Sequence, residues 1–113
     1  MAKQKDIISV ESYDEALDRY SKSEYVVLSR DEYNIVTKQA LACKVIYSKD
    51  VKPYFIPIIV NGLRRNSKVD TLNIYMIRDE TVTDESYTVL GQVSDKEFLQ
   101  IAQAYLLNYN FKI

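Results

Sequence analysis

Residues 53–77 read PYFIPIIVNGLRRNSKVDTLNIYMI, and the class of fold turns on them. Pro53–Val60 is rich in β-branched and aromatic residues, and Thr71–Ile77 is strand-like. Within the second segment Leu72, Ile74 and Met76 share one face, while Asn73, Tyr75 and Ile77 share the other. Apolar side chains on both faces mark a central strand. Asn61-Gly62 lies between the segments. Two residues that tolerate positive φ between hydrophobic runs signal a hairpin. Its far arm has two readings: it starts at Leu63, or Leu63–Val69 is an irregular basic excursion.

Working outward, Tyr25–Leu28, Leu41–Tyr47 and Ser86–Val93 add further strands, with Gly91 as a bulge or tight bend. Short consecutive strands between residues 41 and 93 favour an antiparallel or mixed curved sheet over an alternating parallel one. A partly closed barrel would also hide its edges.

Three Ser-x-x-Glu sequences punctuate the chain: Ser12–Glu15, Ser29–Glu32 and Ser94–Glu97. In such a capping box the hydroxyl accepts an orphan backbone N–H and the carboxylate reaches back to the cap. Apolar residues follow at helical spacing: Tyr13, Ala16, Leu17 and Tyr20; Tyr33, Val36 and Ala40; and Phe98, Ile101, Ala102, Tyr105, Leu106 and Tyr109. The spacing predicts three helices, over about 13–21, 30–39 and 95–108. Asp79–Glu85 reads as an acidic loop, and Asn110–Ile113 as a short strand or a frayed end. The expected architecture is α+β, a single domain over residues 1–113.

Composition narrows the chemistry. The 113 residues include one Cys, two Gly, two Pro and ten Tyr, with no His and no Trp. His-based triads and zinc fingers are excluded. Lone Cys43 sits in the apolar run Ala40-Leu41-Ala42-Cys43-Lys44 and reads as a buried structural residue. The longest apolar stretch, Phe55–Val60, is six residues, so no membrane span or secretory leader is expected, and the lone Cys suits a cytoplasmic protein. Asp14/Asp18 and Glu11/Glu15 have i, i+4 spacing but read as a solvated helix start rather than an acid–base pair. Asp79-Glu80 with Asp84-Glu85 lacks the ligand alternation and central Gly of a calcium loop. No metal, cofactor or catalytic residue is expected, and the chain reads as no enzyme.

Charge placement says more. Residues 1–37 carry net −3, residues 38–68 net +6 and residues 69–113 net −4. The basic middle also holds Tyr47, Tyr54 and Phe55. Cations hold phosphates without reading sequence, and aromatic faces stack on unpaired bases. On this reading Lys44, Lys52, Arg64, Arg65 and Lys68 contact RNA phosphates, while Tyr47 and Tyr54 stack on bases. The plainer reading is a solvated sheet, because strands carry exposed Lys to prevent edge pairing.

The whole-chain pattern resembles the small PrgU-type proteins of Gram-positive conjugative plasmids. The resemblance is carried by size, the helix–strand–capped-helix entry through Glu24–Lys38, the strands around Pro53–Val60 and Thr71–Ile77, and the closing helix from Ser94. It implies a PUA-like pseudobarrel and a cytoplasmic regulator that binds RNA. The leading expectation is therefore a non-enzymatic RNA-binding regulator. The alternative is a protein-interaction module, an inhibitor or accessory factor of a mobile element, whose segregated charge steers a charged partner.

Overall fold

A computed structural model describes residues 2–78 and 87–109. Six strands are present: β1 (Asp6–Asp14), β2 (Arg19–Val27), β3 (Gln39–Tyr47), β4 (Phe55–Pro57), β5 (Ser67–Arg78) and β6 (Thr88–Gln92). Helix α1 (Asp31–Thr37) lies between β2 and β3. Helix α2 (Asp95–Leu106) follows β6 and tightens into a 3₁₀ turn over Leu107–Tyr109. The strands form one sheet in the order β4-β5-β3-β2-β1-β6, and every neighbouring pair is antiparallel. It curls into a half-barrel, which settles the antiparallel-or-mixed alternative. The acidic loop expected over Asp79–Glu85 and the ending expected over Asn110–Ile113 lie outside the described residues.

Neighbouring residues in a strand face opposite ways, and both faces of this sheet are covered. Ile7, Val26, Cys43, Val45 and Val69 point to the main core, which Ile101 of α2 closes with no exposed surface. Ile8, Val10, Val27 and Ala40 point to a second core on the other face, with Tyr25, Ile77 and Tyr87 at its margin. Lys5 adopts φ 77°, donating its backbone N–H to Val27 and accepting from Val93. This ties the start of β1 to the end of β2 and to the entry of α2.

The helix expected over 13–21 does not form; two helices are present among the described residues, where three were expected. Residues 12–21 instead form the end of β1, a turn and the start of β2, with Ser12 opposite Ser21 and Tyr13 opposite Tyr20. The Asp14 carboxylate accepts from the N–H groups of Ala16 and Leu17 at 2.9 and 3.3 Å, an Asx turn that closes the hairpin. Asp18 supplies the left-handed residue, at φ 48°.

The second box yields a helix but no cap. Arg30 stands at the N-cap without a side-chain hydrogen bond. Ser29 Oγ instead accepts from Leu41 N–H at 2.8 Å and donates to Asn34 Oδ1. Val36, expected on the apolar face, is 80% exposed, and Ala40 belongs to β3. Helix α1 is held through buried Asn34, whose amide donates to the carbonyls of Ala2 and Ser29.

The third box forms as expected. Ser94 Oγ accepts from Glu97 N–H at 3.1 Å, and Glu97 Oε1 accepts from Ser94 N–H at 2.9 Å. Asn61-Gly62 does turn, with Gly62 at φ 93° and Leu63 N–H bonded to Val60 O. The paired strands, however, are only Phe55–Pro57 and their partners in β5, so the far arm does not start at Leu63; the irregular stretch covers 58–66, and Ser67–Val69, expected within the excursion, already belong to β5. Gly91 sits at a bulge: β1 pairs Ile7 with Gly91 but Ile8 with Val89. A Cβ there would meet Val60 Cγ1 at 3.2 Å, so that position favours glycine.

Candidate nucleic-acid interface

The site begins with strand alternation. Val26 and Cys43 are paired in register and both enter the main core, so Glu24 and Tyr47, further along the same faces of β2 and β3, emerge on its side. Tyr47 packs its ring against that core. Its hydroxyl donates to Glu24, with Oε1 at 2.6 Å and Oε2 at 2.8 Å. Burial, then the bond to Glu24 and its charge, push the Tyr47 phenol above its ordinary pKa, against the opposing pull of Arg64. It therefore remains a neutral donor at physiological pH.

Arg64 reaches the same tyrosine from the loop after β4. Its guanidinium carbon stands 3.9 Å from the Tyr47 ring centroid, within cation–π range. The loop is pinned on both sides of it. Leu63 packs on the main core, Ser67 Oγ donates to the Arg64 carbonyl, and Ser48 N–H bonds to Asn66 O. At the start of the loop, Ile59 N–H donates to Glu97 Oε2 at 2.7 Å, so the capping box of α2 also steadies this segment. A cleft of about 350 Å³ opens beside Arg64, lined by Ile58, Ile59, Val60, Leu63, Arg65 and Asn66.

Of the seven residues expected to contact RNA, the structure joins Tyr47 and Arg64. Arg65 is exposed beside them, next in sequence to Arg64. Lys44 alternates with Cys43 and Val45 and so lies on the other face of the sheet, in register with Tyr25 and Asp70. Lys68 shares that other face, in register with Ile46 and Pro57, and its ammonium donates to the Asp50 carbonyl. Lys52 is exposed on the loop before β4. Tyr54 stacks edge-on against Phe55 at 4.9 Å, and its carbonyl accepts both the N–H and the hydroxyl of Thr71. The +6 segment therefore divides between two faces instead of converging. One ring face of Tyr47 is taken by Arg64, which is itself exposed.

Glu24 was not among the expected site residues. Its signal is the alternation Tyr20-Lys22-Glu24-Val26, which is legible only once residues 13–21 are read as extended. Cys43 is fully buried, and burial, with the charge of Asp70, pushes its thiol up to about 12, so it is no thiolate nucleophile. The apolar cavity of about 300 Å³ between the sheet and α2, bordered by Leu28, Leu41, Ile74, Phe98 and Tyr105, shares no lining residue with the site. No cluster of three or more metal-ligating side chains occurs among the described residues, and no helix among them is long and apolar enough to cross a membrane.

The half-barrel with its closing helix resembles MazF-type folds. A chain of the MazE–MazF structure from Deinococcus radiodurans superimposes with a TM-score of 0.77 at 14% identity, covering 94% of each chain. An endoribonuclease in complex with its cognate antitoxin, from a mycobacterial species, gives 0.73 at 14% identity over 96% of this chain and 95% of that one. The Mycobacterium tuberculosis toxin MazF-mt6 gives 0.69 at 17% identity over 95% and 99%. At these identities the likeness establishes the fold. No family model matches the chain, and no curated protein does. The structural matches overturn the expectation that the chain is no enzyme. That expectation rested on missing His and a lone Cys, yet the fold is one that an endoribonuclease has.

Proposed function

We propose that this chain acts on RNA, binding single strands at the Glu24–Tyr47–Arg64 cluster. The observation that carries the reading is the guanidinium held 3.9 Å over Tyr47, beside a cleft and a carboxylate, on a fold shared with an endoribonuclease. An arginine in that position can meet a phosphate with its N–H edge or an unpaired base with its plane. Arg65 adds a second cation on the same loop.

Phosphodiester cleavage is the second reading, favoured by the fold. Glu24 is the base available to take a 2′-hydroxyl proton, and Arg64 is placed to carry developing phosphate charge. Tyr47 touches Glu24 directly, so these two stand on one side of a bound phosphodiester. They do not form the opposed base and acid of an in-line displacement, and the leaving-group acid would come from elsewhere. A protein partner fits the hairpin between β1 and β2, where Tyr13, Leu17 and Tyr20 are about half exposed among acidic residues. One structural neighbour is a MazE–MazF structure, and another is an endoribonuclease in complex with its cognate antitoxin.

The test is binding and cleavage of fluorescent single-stranded RNA across a salt series. Wild-type protein should bind with an affinity that falls as salt rises, and Arg64→Ala should lose roughly tenfold with a shallower salt slope. Denaturing gels of the same samples report cleavage, with a 5′-hydroxyl product as the mark of 2′-hydroxyl attack. Salt-insensitive or absent binding by the wild-type protein would end the RNA reading.

A further inference from the structure

We propose that the half-open cavity between the sheet and α2 binds a small neutral aromatic molecule carrying one N–H or O–H donor. The cavity shares no lining residue with the Glu24–Tyr47–Arg64 cluster, so the proposal stands apart from the RNA reading.

The cavity follows from the sizes of the residues on α2. Phe98, Ala102 and Tyr105 fall at i, i+4 and i+7, so one helical stripe carries them over the sheet. Ala102 places only a methyl group between two rings, and the sheet opposite offers Leu28, Leu41 and Ile74. These side chains do not close the space. A cavity of about 300 Å³ remains, and all six stay half-buried, whereas Ile101 on the same helix has no exposed surface. Leu106, 64% exposed, also borders it. Protein interiors leave few voids larger than a water molecule. An engineered apolar cavity of roughly 150 Å³ stays dry and takes up benzene. One about twice as large suits a fused pair of rings. Phe98 and Tyr105 would flank such a ligand in the offset or edge-on contacts that aromatic rings prefer.

The lining selects against charge. No Lys, Arg, Asp or Glu borders the cavity. Lys5 Nζ comes within 5.8 Å of the Phe98 ring centroid, but Asp95 Oδ1 holds it at 2.6 Å. A charged ligand would lose water without gaining a partner. Two polar residues complete the lining, Ser29 and Gln4. Ser29 Oγ is already satisfied, accepting from Leu41 N–H and donating to Asn34 Oδ1. Gln4 is fixed twice: its backbone N–H donates to Asp31 Oδ1 at 2.8 Å and its Nε2 donates to the Leu28 carbonyl at 2.7 Å. A carbonyl only accepts, so the nitrogen of the Gln4 amide must be the atom facing Leu28. The amide oxygen, which bonds to no described residue, is the acceptor left for a donor on the ligand.

The experiment uses the full chain and indole, a fused pair of rings with one N–H. The chain has no Trp, so indole emission excited to the red of tyrosine reports binding without protein background. Wild-type protein should give a saturable blue shift. Ala102→Leu, checked for native circular dichroism, fills the gap between Phe98 and Tyr105 and should weaken binding roughly tenfold or more. Two comparisons use wild-type protein alone. Benzofuran, the same shape with oxygen in place of N–H, should displace indole roughly three- to tenfold less effectively than indole binds. Indole-3-acetate, an anion, should not bind. The absence of a saturable shift overturns the proposal, and so does unchanged binding in natively folded Ala102→Leu. Benzofuran or indole-3-acetate binding as tightly as indole overturns the stated ligand class. N-acetyltryptophanamide presents the same rings on a peptide backbone. If it binds more tightly than indole, the occupant is a side chain of a protein partner and the small-molecule assignment falls.

Discussion

Ser12-Tyr13-Asp14-Glu15 and Ser94-Asp95-Lys96-Glu97 share one spacing and take opposite structures. The second is a closed capping box at the head of α2. The first is the end of a strand and the start of a hairpin turn. Local chemistry does not separate them, since both offer a hydroxyl, a carboxylate three residues on and an apolar stripe behind. The environment of the stripe separates them. Behind Ser94, Phe98, Ile101 and Tyr105 all reach the main core, and Ile101 has no exposed surface. Behind Ser12, Tyr13, Leu17 and Tyr20 remain 48, 57 and 58% exposed. A helix there would have had no apolar face to cover, whereas extension lets Ser12–Asp14 continue the pairing that Ile7–Val10 begin with β2. Most helical stability in proteins comes from such packing rather than from propensity, and here packing decides.

The comparison breaks most sharply at the two stripes. Ile101→Ala removes a fully buried side chain from the core beneath α2 and should cost about 2–5 kcal/mol in urea unfolding. Leu17→Ala, at an exposed position of the hairpin turn, should stay within about 0.5 kcal/mol. Comparable losses at both positions would mean that the hairpin stripe is packed and that the contrast is misread. The caps give a smaller effect of the same sign. Ser94→Ala removes the acceptor for Glu97 N–H and should cost about 1 kcal/mol, while Ser12→Ala should change stability by less than about 0.5 kcal/mol. Equal costs would restore Ser12 as a cap.

The same contrast explains what could be read from the sequence. The strands at Leu41–Tyr47 and Thr71–Ile77, the capped helix from Ser94 and the bend at Gly91 were legible because local pattern and burial agree there. The β1–β2 hairpin was not, because a four-residue box and an i, i+3, i+4, i+7 pattern over Tyr13–Tyr20 fit a helix as well as they fit two strands. Half of the site was hidden by the same misreading. Tyr47 and Arg64 stood out as an aromatic and a cation in the basic middle, but their contact depends on a loop that turns back at Gly62. Glu24 lies 23 residues from Tyr47 in sequence. Only the register between β2 and β3 sets them side by side. Lys44 and Lys68 show the limit of charge counting, since strand alternation sends them to the face away from Tyr47.

The smallest effect tests whether the α2 box is helped from outside, as the Ser12 box is not. Lys5 Nζ lies 2.6 Å from Asp95 Oδ1, joining the start of β1 to the first residue of α2. The Lys5 hydrogen bond and then its charge hold the Asp95 carboxyl below the usual carboxylate range. A carboxyl whose pKa is lowered by folding adds stability that is present above its unfolded pKa. That contribution is lost as pH falls through the lower folded value. Asp95 is almost fully exposed, so water screens the pair and the contribution is small. Asp95→Asn should therefore narrow the stability difference between neutral and acid pH slightly, and added salt should shrink the wild-type difference towards that of the variant. The measurement is urea unfolding of both proteins at pH 7 and pH 3, with and without salt. If the two proteins lose the same stability on acidification, the ion pair adds nothing, and the advantage of the Ser94 box rests on its own hydrogen bonds and on the core beneath α2.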